Sequence, residues 1–218
     1  MLFDLEYSEY LNAFMDTIYM TLLSTIFVFF FGIILGSLLY STDQTGLWEN
    51  KILYKVLSII TSALRSIPFL ILIVLLIPFT RIIVRTILGP TAALPALIIG
   101  ATPFYARLVE LALNQTGKEL KETGLSFGAS KFQVLVKILI PESLPALIRG
   151  ITVTSIAITG YTSIAGAIGA GGLGNLAYLY GYARNRFNIT ITATLLIAFI
   201  ILMIQIIGDK TVKKISKK

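Results

Sequence analysis

The residue types that usually carry chemistry are scarce in this sequence, and their pattern excludes most catalytic mechanisms. The chain has no cysteine and no histidine, which removes thiol nucleophiles, Cys/His metal sites and any catalytic Ser–His pair. Residues 169–174 match the spacing G-x-G-x-x-G, the pattern of a nucleotide-binding loop. No Walker motif is present, so this chain is not expected to hydrolyse ATP.

The glycine run at 169–174 does not have the surroundings that a dinucleotide site needs. It follows a long apolar segment rather than a strand, no Lys-Ser/Thr pair follows it, and no Asp or Glu occurs between Glu142 and Asp209 to hold a ribose. We instead predict a flexible or closely packed re-entrant turn outside the cytoplasm. Three tyrosines follow the run, and we expect them at the membrane interface, where aromatic residues are enriched: Tyr178, Tyr180 and Tyr182.

The longest strongly polar stretch inside the chain covers residues 118–141. In its first half, Leu120, Gly124 and Phe127 recur at i, i+4 and i+7, which predicts a short amphipathic helix. Gly128 then interrupts this helix, because glycine weakens helices and permits turns.

A second short helix is predicted after Gly128. Ser130 and Gln133 have the spacing of a capping box. The apolar stripe of this helix consists of Phe132, Leu135, Val136 and Leu139. Pro141 disfavours helix at Ile140, so we expect the helix to end there. By pattern alone, two short helices joined at a glycine are also typical of an amphipathic hairpin lying on the membrane surface.

Composition indicates the class of protein. Of the 218 residues, 56% are hydrophobic and only 13% are charged, whereas a soluble domain carries about a quarter charged residues. We therefore expect an integral membrane protein surrounded by the lipid bilayer. The net charge of +7 is distributed like a membrane-orientation signal, so no nucleic-acid partner is expected.

Five segments are apolar enough to cross a bilayer, which predicts an all-α membrane protein with five transmembrane helices. The segments are 17–42, 56–80, 86–106, 144–168 and 187–208. In the third segment we expect the helix to begin near Pro90 or Pro95 and to kink at Pro103. Arg107 and Glu110 are interpreted as its polar end.

The basic residues indicate which side of the membrane each loop faces. Of the 18 Lys and Arg, 13 lie in segments 43–55 and 107–149 and in the tail after residue 208. Four lie in the opposite loops: Arg81, Arg85, Arg184 and Arg186. We therefore expect the 118–141 stretch and the C-terminus to face the cytoplasm and the N-terminus to lie outside.

Ionisable residues inside the predicted spans are rare. Arg65 is one, and it is either a functional intramembrane charge or a side chain near the cytoplasmic end that reaches the headgroups. Acidic residues are expected only at span ends or in loops, which argues against a proton-coupled carrier. Sodium coupling through backbone carbonyls, a simple channel and a structural scaffold remain open.

The 118–141 stretch resembles the cytoplasmic loop of bacterial ABC importer permeases. The family pattern is roughly Glu-Ala-Ala, three residues, Gly, nine residues, Ile-x-Leu-Pro. The matching positions are Glu122, Gly128, Ile138 and Pro141, and the departures are Thr123, Gly124 and Ile140. In that family the loop docks into a groove of the ATPase subunit. The resemblance therefore implies that the ATPase contact is made by Glu122, Leu125, Phe127, Gly128 and Ala129.

Further short blocks are similar to the methionine-uptake permease family over residues 13–209, which we take as the permease domain. They lie around Arg65, Ile77, Gly100 and Gly160 and in residues 166–174. The resemblance implies the type I ABC importer permease architecture in the bacterial cytoplasmic membrane, with two copies of this chain. It also implies two cytoplasmic ATPase subunits that bind the ATP, no cofactor on this chain, and an extracytoplasmic methionine-binding lipoprotein. Permeases for betaine or other amino acids share some of these blocks.

A solute path between two copies is expected, because five helices can hardly enclose one alone. Tyr161 and Ile164 lie at i and i+3 on the fourth predicted span, among small residues. They line the path in one interpretation and pack against neighbouring helices in the other.

Overall fold

The computed structural model describes residues 6–216, and every regular element in that range is helical. The α-helices are α1 (Tyr7–Thr42), α2 (Lys51–Ser66), α3 (Phe69–Leu75), α4 (Ile77–Val84), α5 (Pro90–Ser126), α6 (Lys131–Gln133), α7 (Ile140–Ala165), α8 (Gly172–Asn175) and α9 (Phe187–Ile215). Segments of π-helix occupy Val134–Leu139, Gly166–Ala170 and Leu176–Tyr182. The all-α prediction is confirmed for the described residues. Lys217 and Lys218 of the basic tail lie outside them.

Three helices among the described residues are long and apolar enough to cross a membrane. They are the whole of α1, residues Pro90–Gly117 of α5, and α9. The bent pair of α2 and α3 gives a fourth candidate. The predicted second span is thus not one helix, because Pro68 follows the end of α2 and Pro78 lies in the first turn of α4.

Helix α7 occupies most of the predicted fourth span but is not among these candidates. Six hydroxyl residues on it are buried: Ser143, Thr152, Thr154, Ser155, Thr159 and Thr162. They help to keep its hydropathy below that of the candidate spans. Three of them donate hydrogen bonds to carbonyls one turn back, at Ile148, Ser155 and Thr159, so these three hydroxyls are paired within the helix.

Helix α5 begins at Pro90, as predicted, but it runs far beyond the expected polar end. It continues to Ser126 over 37 residues, so the short helix predicted before Gly128 is its last part. The reason is that Arg107 and Glu110, three residues apart, form an ion pair with 2.6 Å between Nη1 and Oε2. Glu110 is buried within Pro90–Gly117, the candidate span of α5. That acids occur only at span ends or in loops stays a prediction.

The predicted helix end at Ile140 is wrong. The chain is helical without interruption from Lys131 to Ala165. The π-helical segment before Pro141 accounts for this: the N–H of Ile140 donates to the carbonyl of Leu135, five residues back. Pro141 follows this π-helical segment, so the helix continues although proline offers no N–H to the carbonyls of the preceding turn.

The chain divides into two compact units, which are described separately. The first unit contains the described residues up to Phe27, with Ile67–Ala101 and Val153–Ile206. Its core joins the start of α1 to α8, the following π-helix and α9. This core consists of Tyr10, Ala13, Leu173, Leu176, Ile189, Ala193 and Ile200.

The second unit contains Val28–Ser66, Thr102–Thr152 and the described residues from Ile207 onward. Its centre is Tyr105, which is fully buried and donates a hydrogen bond to the carbonyl of Leu147 at 3.1 Å. A Cβ on Gly32 of α1 would overlap the Tyr105 ring, and one on Gly150 of α7 would lie 3.3 Å from it. Small residues therefore let α1, α5 and α7 approach closely here.

Candidate functional site

The turn at Gly128 is a Schellman motif that ends α5. The N–H of Ala129 donates to the carbonyl of Gly124 at 3.1 Å, and the N–H of Gly128 donates to the carbonyl of Leu125 at 3.0 Å. Gly128 has φ +81°, the left-handed conformation that glycine adopts without steric cost. The predicted turn is therefore confirmed.

The helix after this turn begins with the predicted capping box. The Ser130 side chain accepts a hydrogen bond from the Gln133 N–H at 3.3 Å, and the Gln133 side chain accepts one from the Ser130 N–H at 2.9 Å. The end of α5 packs back on this second helix, because a Cβ on Gly124 would lie 2.9 Å from Cδ1 of Ile138. The two helices thus form a rigid bend with defined geometry.

The residues predicted to contact an ATPase lie together at this bend. Glu122, Leu125 and Gly128 are exposed and Ala129 is half-buried. Phe127 is 88% exposed and Phe132, on the next helix, is 65% exposed. Exposed aromatic side chains beside a charged residue are typical of a protein-binding surface.

Tyr161 and Ile164 lie in the first unit. The Tyr161 ring stacks on Phe69, with 4.5 Å between ring centroids and 10° between the planes, so it contacts the start of α3. Ile164 is exposed and lines an open groove of about 610 Å³ with Leu70, Ser163, Ala167, Tyr178 and Tyr182.

Arg65 lies in the last turn of α2 and its side chain is exposed. Its Nε donates to the carbonyl of Thr61 at 3.4 Å and its Nη2 to the hydroxyl of Ser62 at 3.5 Å. These partners belong to the same helix, and a cation near a helix C-terminus is favoured by the helix dipole.

The glycine run 169–174 forms a closely packed turn, which is one of the two alternatives that the sequence predicted. Helical geometry stops at Ile168 and Gly169, and Gly169 has φ +105°. A Cβ on Gly166 would lie 2.6 Å from the backbone nitrogen of Asn175 and 2.7 Å from the carbonyl oxygen of Gly171. The chain therefore folds back on itself with no room for side chains at Gly166.

Two residues of α1 hold this turn, and the sequence pattern did not indicate them. The N–H of Leu173 donates to the hydroxyl of Thr17 at 2.8 Å. The backbone N–H of Gly172 donates to the carboxylate of Asp16. Both acceptors are therefore side chains that satisfy the free N–H groups at the start of α8. No signal in the sequence links positions 156 residues apart.

The Thr17 contact leads to a prediction on stability. Thr17→Val keeps the shape of the side chain but leaves the Leu173 N–H buried without its acceptor, so we expect a loss of about 1–3 kcal/mol. Thermal unfolding in detergent measures the change. Thr194→Val is the matched control, because that exposed hydroxyl bonds a carbonyl of its own helix. Equal unfolding temperatures for the two variants would contradict the prediction.

The sequence pattern also did not indicate a hydrogen-bonded network around the buried Glu110 of the second unit. Tyr54 of α2 donates a hydrogen bond to Oε1 of Glu110 at 3.1 Å, and Arg107 Nη1 lies 3.4 Å from the Tyr54 hydroxyl oxygen. Arg107 and Glu110 are three residues apart, which is the spacing of an ion pair on one helix face, so half of the network was accessible to sequence reasoning. Tyr54, which stands in a polar loop of the sequence, was not.

Known proteins resemble the chain over nearly all of its length. Residues 29–217 match the family described as binding-protein-dependent transport system inner membrane component. The methionine import system permease protein MetP of Bacillus subtilis (strain 168) is 53% identical, over 99% of this chain and 97% of that protein. The probable D-methionine transport system permease protein MetI of Pasteurella multocida (strain Pm70) is 41% identical, over 94% of each.

A solved structure has the same arrangement of helices. It is described as inward facing conformations of the MetNI methionine ABC transporter, in the CY5 native crystal form. The TM-score is 0.93 with 40% sequence identity, and the match covers 95% of this chain and 96% of that chain.

Proposed function

We infer the function of this chain from the family to which it belongs, the binding-protein-dependent transport system inner membrane components. The chain is thus a multi-pass membrane protein with the predicted fold of the ABC importer permeases. We propose that it carries methionine into the cell, driven by ATP hydrolysis on a separate subunit. The observation that carries this proposal is the 53% identity to a methionine import permease across 99% of the chain.

We propose that the bend at Gly128 is the contact with the ATPase subunit, made by Glu122, Leu125, Phe127, Gly128 and Ala129. Support comes from the exposure of Phe127 and from the Schellman turn and capping box that hold the bend in one geometry. A loop that is already held in one geometry favours docking of a partner, because no free energy is spent on ordering the loop during binding.

The proposed assembly contains two copies of this chain, two ATPase subunits and a methionine-binding lipoprotein on the outer side. We place the permease domain at 13–209 and count five crossings, with α7 as the crossing that is not among the candidate spans of the structure. At 1.5 Å per residue, its 26 residues span about 39 Å, which exceeds the bilayer core. The chain itself is proposed to need no cofactor and no nucleic acid.

We propose that Tyr161 and Ile164 line the solute path on the first unit. Ile164 borders an open, largely apolar groove, and Tyr161 presents one ring face to Phe69. Arg65 contacts only groups of its own helix among the bonds found for it, which favours an interaction with headgroups over a role in the path.

The direct test is uptake of labelled methionine. This chain is expressed with an ATPase subunit and a methionine-binding lipoprotein of the same import system, in cells that lack their own high-affinity system. We expect uptake that disappears when the ATPase subunit is omitted. Transport of betaine or another amino acid in place of methionine would overturn the substrate alone. Uptake that continues without any ATPase would overturn the ATP-driven mechanism and favour a sodium-coupled carrier.

The orientation gives a separate prediction. Because the chain has no cysteine, single cysteines serve as reporters in intact cells. Ser8 and Ser126 are both exposed, and we expect Ser8→Cys to react with an impermeant thiol reagent and Ser126→Cys to react only after permeabilisation. The basic residues of the 107–149 segment are the reason. The reverse pattern at both positions contradicts the proposed orientation.

A further inference from the structure

The ion pair of α5, in which only the carboxylate is buried, has no role in the proposed ATPase contact or in the proposed path. The Glu110 side chain is 3% exposed and that of Arg107 is 38% exposed. Burying a carboxylate inside a membrane helix is costly unless it is paired, so such residues are functional candidates. Arg107 supplies the opposite charge within the same helix. The remaining bond to the carboxylate comes from another helix, through the Tyr54 hydroxyl.

Two further contacts attach the end of α1 and the loop that leads to α2 to helix α5. A Cβ on Gly117 would lie 2.6 Å from the buried Tyr40 hydroxyl at the end of α1. Lys121 Nζ donates to the carbonyl of Thr45, in the loop between α1 and α2, at 2.7 Å. From Arg107 to Lys121 the helix rises about 21 Å. Over this length α5 is held by the end of α1, by the loop and by the start of α2.

We propose that the hydrogen bond from Tyr54 to the Arg107–Glu110 pair is the joint that makes α2 move with α5 when the ATPase displaces the bend at Gly128. This inference rests on the proposed function. Apolar contacts between helices are non-directional. A desolvated carboxylate does not release its donor so easily, because moving Tyr54 away leaves a lone pair of Glu110 unpaired. Tyr54 is therefore a positioning residue for transport.

The test is Tyr54→Phe in the complete complex of this chain, the ATPase and the binding protein, reconstituted in lipid vesicles. The variant removes the joint and leaves the Arg107–Glu110 pair in place. The measured quantity is ATP hydrolysed per methionine transported. We expect this ratio to rise roughly fivefold or more, the lower bound of typical coupling between sites. Assembly should be retained, with a lower unfolding temperature because the buried Glu110 carboxylate loses a hydrogen bond. Tyr19→Phe, on the exposed Tyr19 of α1, is the matched control and should leave the ratio unchanged.

A merely structural role predicts a different result. Hydrolysis and uptake would then fall together, and an unchanged ratio in Tyr54→Phe overturns the proposed joint. If Tyr54→Phe does not assemble, Glu110→Gln and Glu110→Leu replace it, because the Gln amide oxygen still accepts from Tyr54 and the Leu side chain does not. Glu110→Gln should hydrolyse less ATP per methionine than Glu110→Leu, and equal ratios in the two variants also overturn the inference. A wild-type complex that carries no methionine refutes the proposed function itself, which is a distinguishable outcome.

Discussion

Gly128→Trp is expected to abolish ATP-driven uptake while the chain still folds and inserts. The structure leaves open space around this residue, since a Cβ there would meet nothing within 4 Å. The left-handed backbone costs about 1–2 kcal/mol for a residue other than glycine, which is small beside the stability of a domain. A bulky ring at the centre of a docking surface should weaken the contact by about 2 kcal/mol or more, roughly thirtyfold in affinity.

Gly89→Trp is the matched control for this change. Gly89 also has positive φ, at +88°, and its Cβ would also meet nothing within 4 Å, but it precedes α5 and is far in sequence from the bend. It should transport at nearly the wild-type rate. Pull-down of the ATPase by each variant separates loss of docking from loss of transport. Normal uptake by Gly128→Trp combined with Glu122→Lys would exclude this bend as the element that transmits ATP hydrolysis.

Gly166→Ala is expected to destabilise the chain strongly. Its Cβ would approach backbone atoms of Asn175 and Gly171 at 2.6 and 2.7 Å, and backbone cannot move aside as a flexible side chain can. Overpacking of this kind costs about 3 kcal/mol. For a chain of this size that corresponds to a fall of roughly 10 °C in unfolding temperature.

The control for Gly166→Ala lies on the preceding helix. A Cβ on Gly160 of α7 would meet nothing within 4 Å of the protomer, and alanine is the better helix former by about 1 kcal/mol. Gly160→Ala should therefore unfold at the wild-type temperature or slightly above it. Purified protein in detergent, heated with a fluorescent reporter, gives both values. A Gly166→Ala protein as stable as Gly160→Ala would show that the turn is loosely packed.

Much of the bend at Gly128 was predictable because its interactions are local. The Schellman turn and the capping box join residues three to five positions apart, so the residue types at those positions suffice to indicate the geometry. The start of α5 at Pro90 and the start of α9 at Phe187 were predictable for the same reason, since proline and the loss of charge mark local boundaries. Composition was enough for the membrane class.

The extent of the helices was less predictable. Arg107 and Glu110 have the composition of a helix end, but α5 continues past them because each neutralises the other within the helix. Pro141 is typical of a helix boundary, but the helix continues through it after a π-helical segment, in which the N–H of Ile140 donates to the carbonyl of Leu135. At Arg107 the ion pair, and at Pro141 the π-helical segment, opposes the local signal for a helix end. The pattern of single residue types contains neither effect.

Hydropathy, capping and short motifs depend on neighbours along the chain, so the all-helical membrane class, the bend at Gly128 and the family follow from the order of residues. Which distant groups meet depends on how the helices pack. Thr17 accepts the N–H of Leu173, and Tyr54 donates to Glu110, across 156 and 56 residues of chain. Hydroxyls and amides at such separations have no preferred partner until helices pack, since each forms equally good hydrogen bonds with water or with its own helix.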